Sequence, residues 1–129
     1  MILLLDANGL LWALDKPSQL DASVRASISD PVNPVLVSAA TVWELEIKAA
    51  KGKLRLPADL LDSIEAMPAD VVPVLGTDAR TAARLPMHHH DPFDRMLVAQ
   101  AQRLGAVVVS ADPALDAYGV HRLAPLGET

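Results

Sequence analysis

The chain contains no cysteine, and its 129 residues include only two Trp, one Tyr and one Phe. Without thiols, disulfide bonds and thiolate zinc sites are excluded, and the composition suits a reducing compartment. Because aromatic rings are scarce, Leu, Val and Ala must fill the core, and we expect Trp12 and Trp43 to be partly buried anchors. No run approaches the ~20 apolar residues of a membrane span, and no basic segment precedes the first apolar run. We therefore expect a cytoplasmic protein with no membrane partner.

Basic residues are also few, since 11 Lys and Arg stand against 16 Asp and Glu, for a net charge of −5. This balance argues against a protein that grips nucleic acid through a broad basic surface. It does not exclude a nuclease, because acids that hold divalent cations are neutralised by the metal. The length and the apolar fraction of 51% predict one globular domain over residues 1–129.

Short apolar runs alternate with helical patterns along the chain. Strands are predicted at 2–5, 35–37, 71–75, 106–109 and 121–123, and helices at 7–14, 21–29, 41–50, 57–67, 77–85, 93–104 and 112–117. Pro73 predicts that the third strand lies at an edge of the sheet. The alternation predicts a three-layer α/β/α domain with a central, mostly parallel sheet of four to five strands.

Four acidic residues fall near boundaries between strands and helices. Asp6 follows the first strand, Glu44 lies in the helix after the second, Asp112 follows the fourth, and Asp94 lies in the first turn of the preceding helix. Ligands gather at the carboxyl ends of parallel strands, so we expect these four side chains to meet. Clustered carboxylates repel unless cations or protons compensate, and hard oxygen ligands suit Mg²⁺ or Mn²⁺.

Helix capping is a competing explanation for most of these acids. The pairs 91–92 and 112–113 place Asp before Pro, as an N-cap followed by N1, and 41–44 fits a capping box. Capping does not explain Asp6, directly behind four apolar residues, or four acids gathered at one end of a sheet. We interpret Asp91 mainly as a cap, and leave open whether it also binds metal or accepts a hydrogen bond from Arg95.

Four segments in this order resemble PIN-domain ribonucleases and, within them, the VapC-type toxins of bacterial toxin-antitoxin pairs. The segments are LLLDANGLLWAL, VSAATVWELEIKAAKGKL, HHHDPFDRMLVAQAQ (the DPFDR subgroup) and VVVSADPALDAYGV. The resemblance spans nearly the whole chain, with residues 54–86 the least distinctive. It implies a PIN-like fold and a Mg²⁺-dependent endoribonuclease. It also implies an RNA substrate, a VapB-like antitoxin partner, and a homodimer or a toxin-antitoxin hetero-oligomer.

The resemblance implies a role for each of several residues. The acidic set that would bind one or two metal ions and be catalytic is Asp6, Glu44, Asp94 and Asp112. Supporting polar groups around it would be Ser38, Asn8 and Asp91. Contacts to the RNA would come from Lys48, Lys51 and Arg95. The basic stretch after Glu44 has a second interpretation as a solvated face with a Glu44 to Lys48 pair, and both stay open.

Three consecutive histidines, His88 to His90, precede the DPFDR segment. Three adjacent side chains in a loop cannot easily face one ion, so we expect a solvated loop at the mouth of the site rather than a transition-metal site. A contact from this loop to phosphate stays open.

Two alternative functions fit part of the pattern. A non-catalytic Mg²⁺-binding α/β signalling or binding module gathers acids at strand ends, but a receiver-like domain should have paired acids after its first strand, where this chain has only Asp6. A related DNA nuclease would use similar chemistry. The small size, without an appended DNA-binding element, argues against it.

Overall fold

The sheet has five parallel strands in a computed structural model that describes residues 1–56 and 59–127. The strands are β1 (Ile2–Leu5), β2 (Val35–Ser38), β3 (Ala69–Val72), β4 (Ala106–Val109) and β5 (Arg122–Leu123). Their order across the sheet is β3-β2-β1-β4-β5. The predicted α/β class and the edge position of the third strand are confirmed, but this strand covers Ala69–Val72 instead of 71–75, so Pro73 follows it.

Six α-helices connect the strands in the described part of the chain. They are α1 (Ala7–Asp15), α2 (Ala22–Ser29), α3 (Ala39–Ala50), α4 (Leu60–Ala66), α5 (Gly76–Arg84) and α6 (Pro92–Leu104), with short 3-10 helices at Pro17–Gln19 and Pro113–Tyr118. The predicted start of the fourth helix at residue 57 lies outside the described residues. Within them, no helix combines the length and apolar character that crossing a membrane requires.

Two apolar layers cover the two faces of the sheet. Leu3 and Leu5 point into one, with buried residues of α1, α2, α3 and α4. Leu4 points into the other, with Leu97 and Val98 of α6. Successive side chains of a strand point to opposite faces, so a strand buried on both sides is a continuous apolar run. This is why Ile2–Leu5 carries no polar residue.

Two further local predictions, the start of α3 and the burial of Trp43, were wrong. Helix α3 begins at Ala39, because the Ser38 hydroxyl accepts a hydrogen bond from the Ala40 N–H at 3.1 Å and caps the helix where β2 ends. Thr41 therefore lies inside the helix instead of capping it. Trp43 is 64% exposed rather than partly buried, whereas Trp12 packs against the core as predicted.

An ion pair between a buried Asp78 and a partly exposed Arg103 joins α5 to α6. Asp78 is 2% exposed and accepts from Arg103 Nε at 2.6 Å and from a second guanidinium nitrogen at 3.0 Å. Its carboxylate also accepts from the Leu75 N–H at 2.9 Å. The hydrogen bonds from Arg103 are the main reason that the pKa of Asp78 is lowered.

We expect Asp78→Asn to lower the free energy of unfolding by about 2 kcal/mol at neutral pH, since it weakens two charged hydrogen bonds. A lowered pKa in the folded state stabilises the protein above the unfolded pKa, about 3.9, and this contribution is lost as pH falls through the folded value. Urea titrations of both proteins at pH 7 and pH 3 should therefore show a smaller difference at pH 3. An equal difference at both values would contradict a charge contribution.

Candidate metal site at the carboxyl ends of the strands

The order of the strands creates a crevice beside β1. From β1 the chain moves outward through β2 and β3 on one side, and β4 and β5 lie on the other. The carboxyl ends of β1 and β4 are adjacent, and the Asp6 N–H donates to the Val109 carbonyl at 3.1 Å. Asp6 follows β1 and Asp112 follows β4, so the topology brings these two carboxylates to one edge. In open α/β sheets this is the place where ligands bind.

A cavity of about 460 Å³ opens at this edge. Its lining comprises Asp6, Ala7, Asn8, Glu44, Lys48, Asp91, Asp94, Ala111, Asp112 and Pro113. The structure thus brings together all four acids of the predicted set, with Asn8, Lys48 and Asp91 beside them. Ser38, Lys51 and Arg95 do not line the cavity.

Asp6 is the most buried of the four acids, at 8% exposure. Its Oδ1 accepts a hydrogen bond from the Gly9 N–H at 2.6 Å and caps α1, so Asp6 is a helix cap after all. Burial raises the pKa of Asp6, and the nearby charges of Glu44 and Asp112 act in the same direction. Hydrogen bonds from Gly9 and from the Ser110 hydroxyl oppose that rise. The carboxylate is rigidly placed, but its charge is poorly compensated.

Asp94 projects into the cavity from the first turn of α6. Asp91 caps that helix, because its Oδ1 accepts from the N–H groups of Phe93 at 2.8 Å and Asp94 at 3.3 Å. Burial, followed by the charge of Asp91, raises the pKa of Asp94 to about 6. The capping acid therefore also adds negative charge beside Asp94. Such crowding of carboxylates is characteristic of functional sites.

Glu44 enters the cavity from α3 and is paired with Lys48. Lys48 Nζ lies 3.0 Å from Glu44 Oε2, one helical turn away, and the side chains are 48% and 13% exposed. The predicted pair is present, and Lys48 also lines the cavity. Because an exposed ammonium is a weak partner for a carboxylate, this pair compensates little of the cavity's charge.

The position of His89 differs more from the sequence prediction than that of the other cavity-side residues described above. His89 Nε2 lies 2.7 Å from Asp112 Oδ2 and 3.1 Å from Asp94 Oδ2, and its side chain is 17% exposed. The solvated-loop expectation is wrong for His89, although His88 and His90 are exposed. Burial alone would raise the pKa of Asp112, but hydrogen bonds from the Ala114 N–H and His89, together with nearby positive charge, lower it.

Arg95 has a different place from the substrate contact expected of it. It is 7% exposed, and its guanidinium donates to the carbonyls of Leu85, Pro86 and His89 at 2.8, 3.0 and 3.2 Å. Arg95 lies in α6, and these hydrogen bonds hold the loop that precedes this helix. Ser38, at 0% exposure, caps α3 as described above.

Ser110 and Gly9 are site residues that the sequence reading passed over. The fully buried Ser110 hydroxyl accepts from the Asp112 N–H at 3.1 Å and donates to Asp6. The sequence feature that could have identified Ser110 is its position at the end of an apolar strand, where Ser38 also lies. A Cβ on Gly9 would lie 3.1 Å from both Asp6 Oδ1 and the Val109 carbonyl oxygen, so a larger residue here would require these neighbours to move by a few tenths of an ångström.

For the ribonuclease that the sequence resemblance implies, we expect Gly9→Ala to reduce RNA cleavage about tenfold, since small displacements of catalytic groups are costly and the Val109 backbone cannot move away easily. The protein should stay folded. Gly76→Ala is the matched control, because no atom lies within 4 Å of a Cβ at that helical position. Cleavage rates of both variants and thermal unfolding would test this, and wild-type activity in folded Gly9→Ala protein would contradict it.

The donor set fits a hard divalent cation. Within residues 1–56 and 59–127, the cavity offers carboxylate oxygens from four elements and one basic side chain, Lys48. Asp94 and Asp112 oxygens lie within 4.8 Å of each other and of His89 Nε2. Mg²⁺ and Mn²⁺ prefer carboxylate oxygens, and a cation would offset the burial and the repulsion by Asp91 that raise the pKa of Asp94.

A family model described as the PIN domain matches residues 3–120 of the chain. No protein with a curated functional description matched. Several solved structures share the fold. The VapBC2 complex of Rickettsia felis, bound to a DNA fragment from its promoter, is 13% identical, with a TM-score of 0.72 and coverage of 95% of this chain and 98% of that one.

Two further structures are similar to the chain at comparable levels. FitAcB from Neisseria gonorrhoeae is 23% identical, with a TM-score of 0.67 and coverage of 97% and 98%. VapC20 from Mycobacterium tuberculosis, a toxin that cleaves the sarcin-ricin loop, is 16% identical, with a TM-score of 0.65 and coverage of 95% and 99%. At these identities the likeness establishes a common fold.

Proposed function

This chain belongs to the PIN domain family, and from that membership and its carboxylate-lined cavity we propose that it is a metal-dependent endoribonuclease. It would be the toxin of a VapBC-type toxin-antitoxin pair. The observation that carries the proposal is the convergence of Asp6, Glu44, Asp94 and Asp112, from four separate elements, on one cavity. Capping explains Asp6 and Asp112 individually, but it gives no reason for Asp94 and Glu44 to face the same space.

In this proposal, the residues of the cavity have different roles in phosphodiester hydrolysis. Asp6, Asp94, Asp112 and Glu44 would hold Mg²⁺ or Mn²⁺. The bound ion would supply a Lewis acid that polarises the scissile phosphate and activates water. Asn8, which lines the cavity at the start of α1, would support the metal ligands by hydrogen bonds. Lys48 is placed to pair with an RNA phosphate once Glu44 is engaged elsewhere.

We expect the purified protein to cleave RNA in the presence of Mg²⁺ and to lose all cleavage in excess EDTA. Incubation with total RNA, and with single-stranded and duplex DNA of matched length, would separate a ribonuclease from a DNA nuclease. Mn²⁺ should restore activity after removal of the chelator. Cleavage that persists at full rate in EDTA would contradict metal dependence, and cleavage of DNA alone would contradict the substrate class.

An antitoxin partner is part of the proposal. Two of the similar structures are named as VapBC2 and FitAcB, and the first is a complex bound to promoter DNA. We propose that a VapB-like antitoxin binds this chain and that the chain also forms homodimers or a hetero-oligomer with that partner. An antitoxin arginine entering the cavity would pair with the carboxylates. Co-purification with the product of a small neighbouring gene, followed by a mass measurement in solution, would test the assembly.

A further inference from the structure

We propose that His89 is a positioning residue that holds Asp94 and Asp112 together for the cation without itself binding it. This inference rests on the proposed metal-dependent function and concerns how the ligands are arranged. Nε2 of His89 lies 2.7 Å from Asp112 Oδ2 and 3.1 Å from Asp94 Oδ2, so one N–H group faces two carboxylates.

The other ring nitrogen decides between a ligand and a hydrogen-bond donor. His89 Nδ1 accepts a hydrogen bond from the Asp91 backbone N–H at 3.0 Å, so Nδ1 carries no proton. The ring proton is therefore on Nε2, and a protonated nitrogen has no lone pair for a metal. A metal-binding histidine has the opposite arrangement, with its second nitrogen donating a proton to a neighbour.

The backbone of His89 is held as firmly as its ring. Its N–H donates to the Tyr118 hydroxyl at 2.9 Å, and its carbonyl accepts from Arg95 at 3.2 Å. The Tyr118 hydroxyl in turn donates to the Pro86 carbonyl at 2.7 Å. His89 is therefore held through both ring nitrogens, its backbone N–H and its carbonyl, which gives its side chain a fixed position in the site.

The exposure of His89 to the cavity also differs from that of the two carboxylates. This histidine is absent from the cavity lining, whereas Asp94 and Asp112 both line the cavity. Its N–H contacts one oxygen of each acid, and the remaining lone pairs stay available for a cation. Without this donor, Asp94 and Asp112 would repel each other and separate, and the cation would have to draw them together at a cost in affinity. Removal of such partners of metal ligands typically weakens binding about 10- to 100-fold.

The test is titration of Mn²⁺ into the protein without RNA, measured by calorimetry. We expect His89→Ala to bind Mn²⁺ at least about tenfold more weakly than wild type. His89→Gln should recover much of that loss, because its amide N–H reaches nearly as far as Nε2. His89→Asn carries the same amide on a side chain one carbon shorter and should stay weak. His90→Ala, an exposed neighbour, is the matched control and should bind like wild type.

The possible results separate this inference from the proposed function. Equal or tighter Mn²⁺ binding by His89→Ala would overturn it, and tighter binding would identify His89 as a competitor of the cation. Equal affinities of the Gln and Asn variants would also overturn it, and this comparison serves if His89→Ala does not fold. Failure of the wild-type protein to cut RNA while it binds Mn²⁺ with the expected order of affinities would refute the ribonuclease proposal and support the role of His89.

Discussion

Asp94→Asn will abolish RNA cleavage in a protein that remains folded. Asparagine keeps the shape of the side chain but removes the charge that would bind the cation, and we expect a loss of at least about 10³-fold in rate, or about 4 kcal/mol of transition-state stabilisation. The fold should survive, because the cap of α6 is Asp91 and its hydrogen bonds are to backbone N–H groups. Single-turnover cleavage of a defined RNA and circular dichroism would measure both effects.

The same variant has a second expected property. In EDTA it should be at least as thermally stable as wild type, since it removes repulsion between Asp94 and the charges of Asp91, Asp6 and Glu44. Loss of activity with a gain in stability is typical of residues kept for function. Asp70→Asn, an exposed acid on β3, is the control and should change neither property. Full activity in purified Asp94→Asn protein would end the assignment.

Arg95→Met will produce the largest loss of stability among single changes in the site region, about 3 to 5 kcal/mol in the free energy of unfolding. The guanidinium donates to Ala83, Leu85, Pro86 and His89 carbonyls at 3.4, 2.8, 3.0 and 3.2 Å. Methionine fills the volume but removes the charged donor from these partly buried carbonyls, of which that of Pro86 keeps the Tyr118 hydroxyl as a donor. Each group left without a donor costs about 1 to 3 kcal/mol, in part relieved by water. Urea denaturation would measure the loss.

Arg95→Lys is the informative companion variant. A single ammonium cannot reproduce a planar fork that reaches several carbonyls, so we expect it to recover less than half of the stability. Arg80→Met, at an exposed position of α5, is the control. If Arg95→Met unfolded at the same urea concentration as wild type, the contacts of this guanidinium would make no net contribution to the stability of the fold. The expected result explains the arginine of the DPFDR segment by structure and not by substrate contact.

Features encoded within a few residues could be predicted from the sequence. Asp91 before Pro92 specifies the start of α6, and Gly105 after an amphipathic stretch specifies its end in a left-handed conformation. Uninterrupted apolar runs identified β1 and β4 as strands buried on both faces. The placement of Asp6 and Asp112 at strand ends followed from the alternation of strands and helices together with the general behaviour of parallel sheets.

Features that depend on contacts between distant parts of the chain could not be predicted from the sequence. His89 meets Asp112 only because the loop before α6 passes the end of β4, and nothing near residue 89 in the sequence records that approach. The usual burial of tryptophan predicts an anchor at Trp43, but neighbouring elements decide which face of α3 is covered, and Trp43 is exposed. Ser38 and Thr41 are both good caps, and only the position at which β2 ends selects Ser38.

The central position of β1 has a consequence for synthesis of the protein. Asp6 and Glu44 are synthesised well before Asp94 and Asp112, and β4 must be made before it can pair with β1. Pairing across such a separation is late and slow compared with local helix formation. The proposed cation site is therefore absent from a nascent chain until Asp112 has been synthesised and β4 has paired with β1, so the chain gains this site late in its folding.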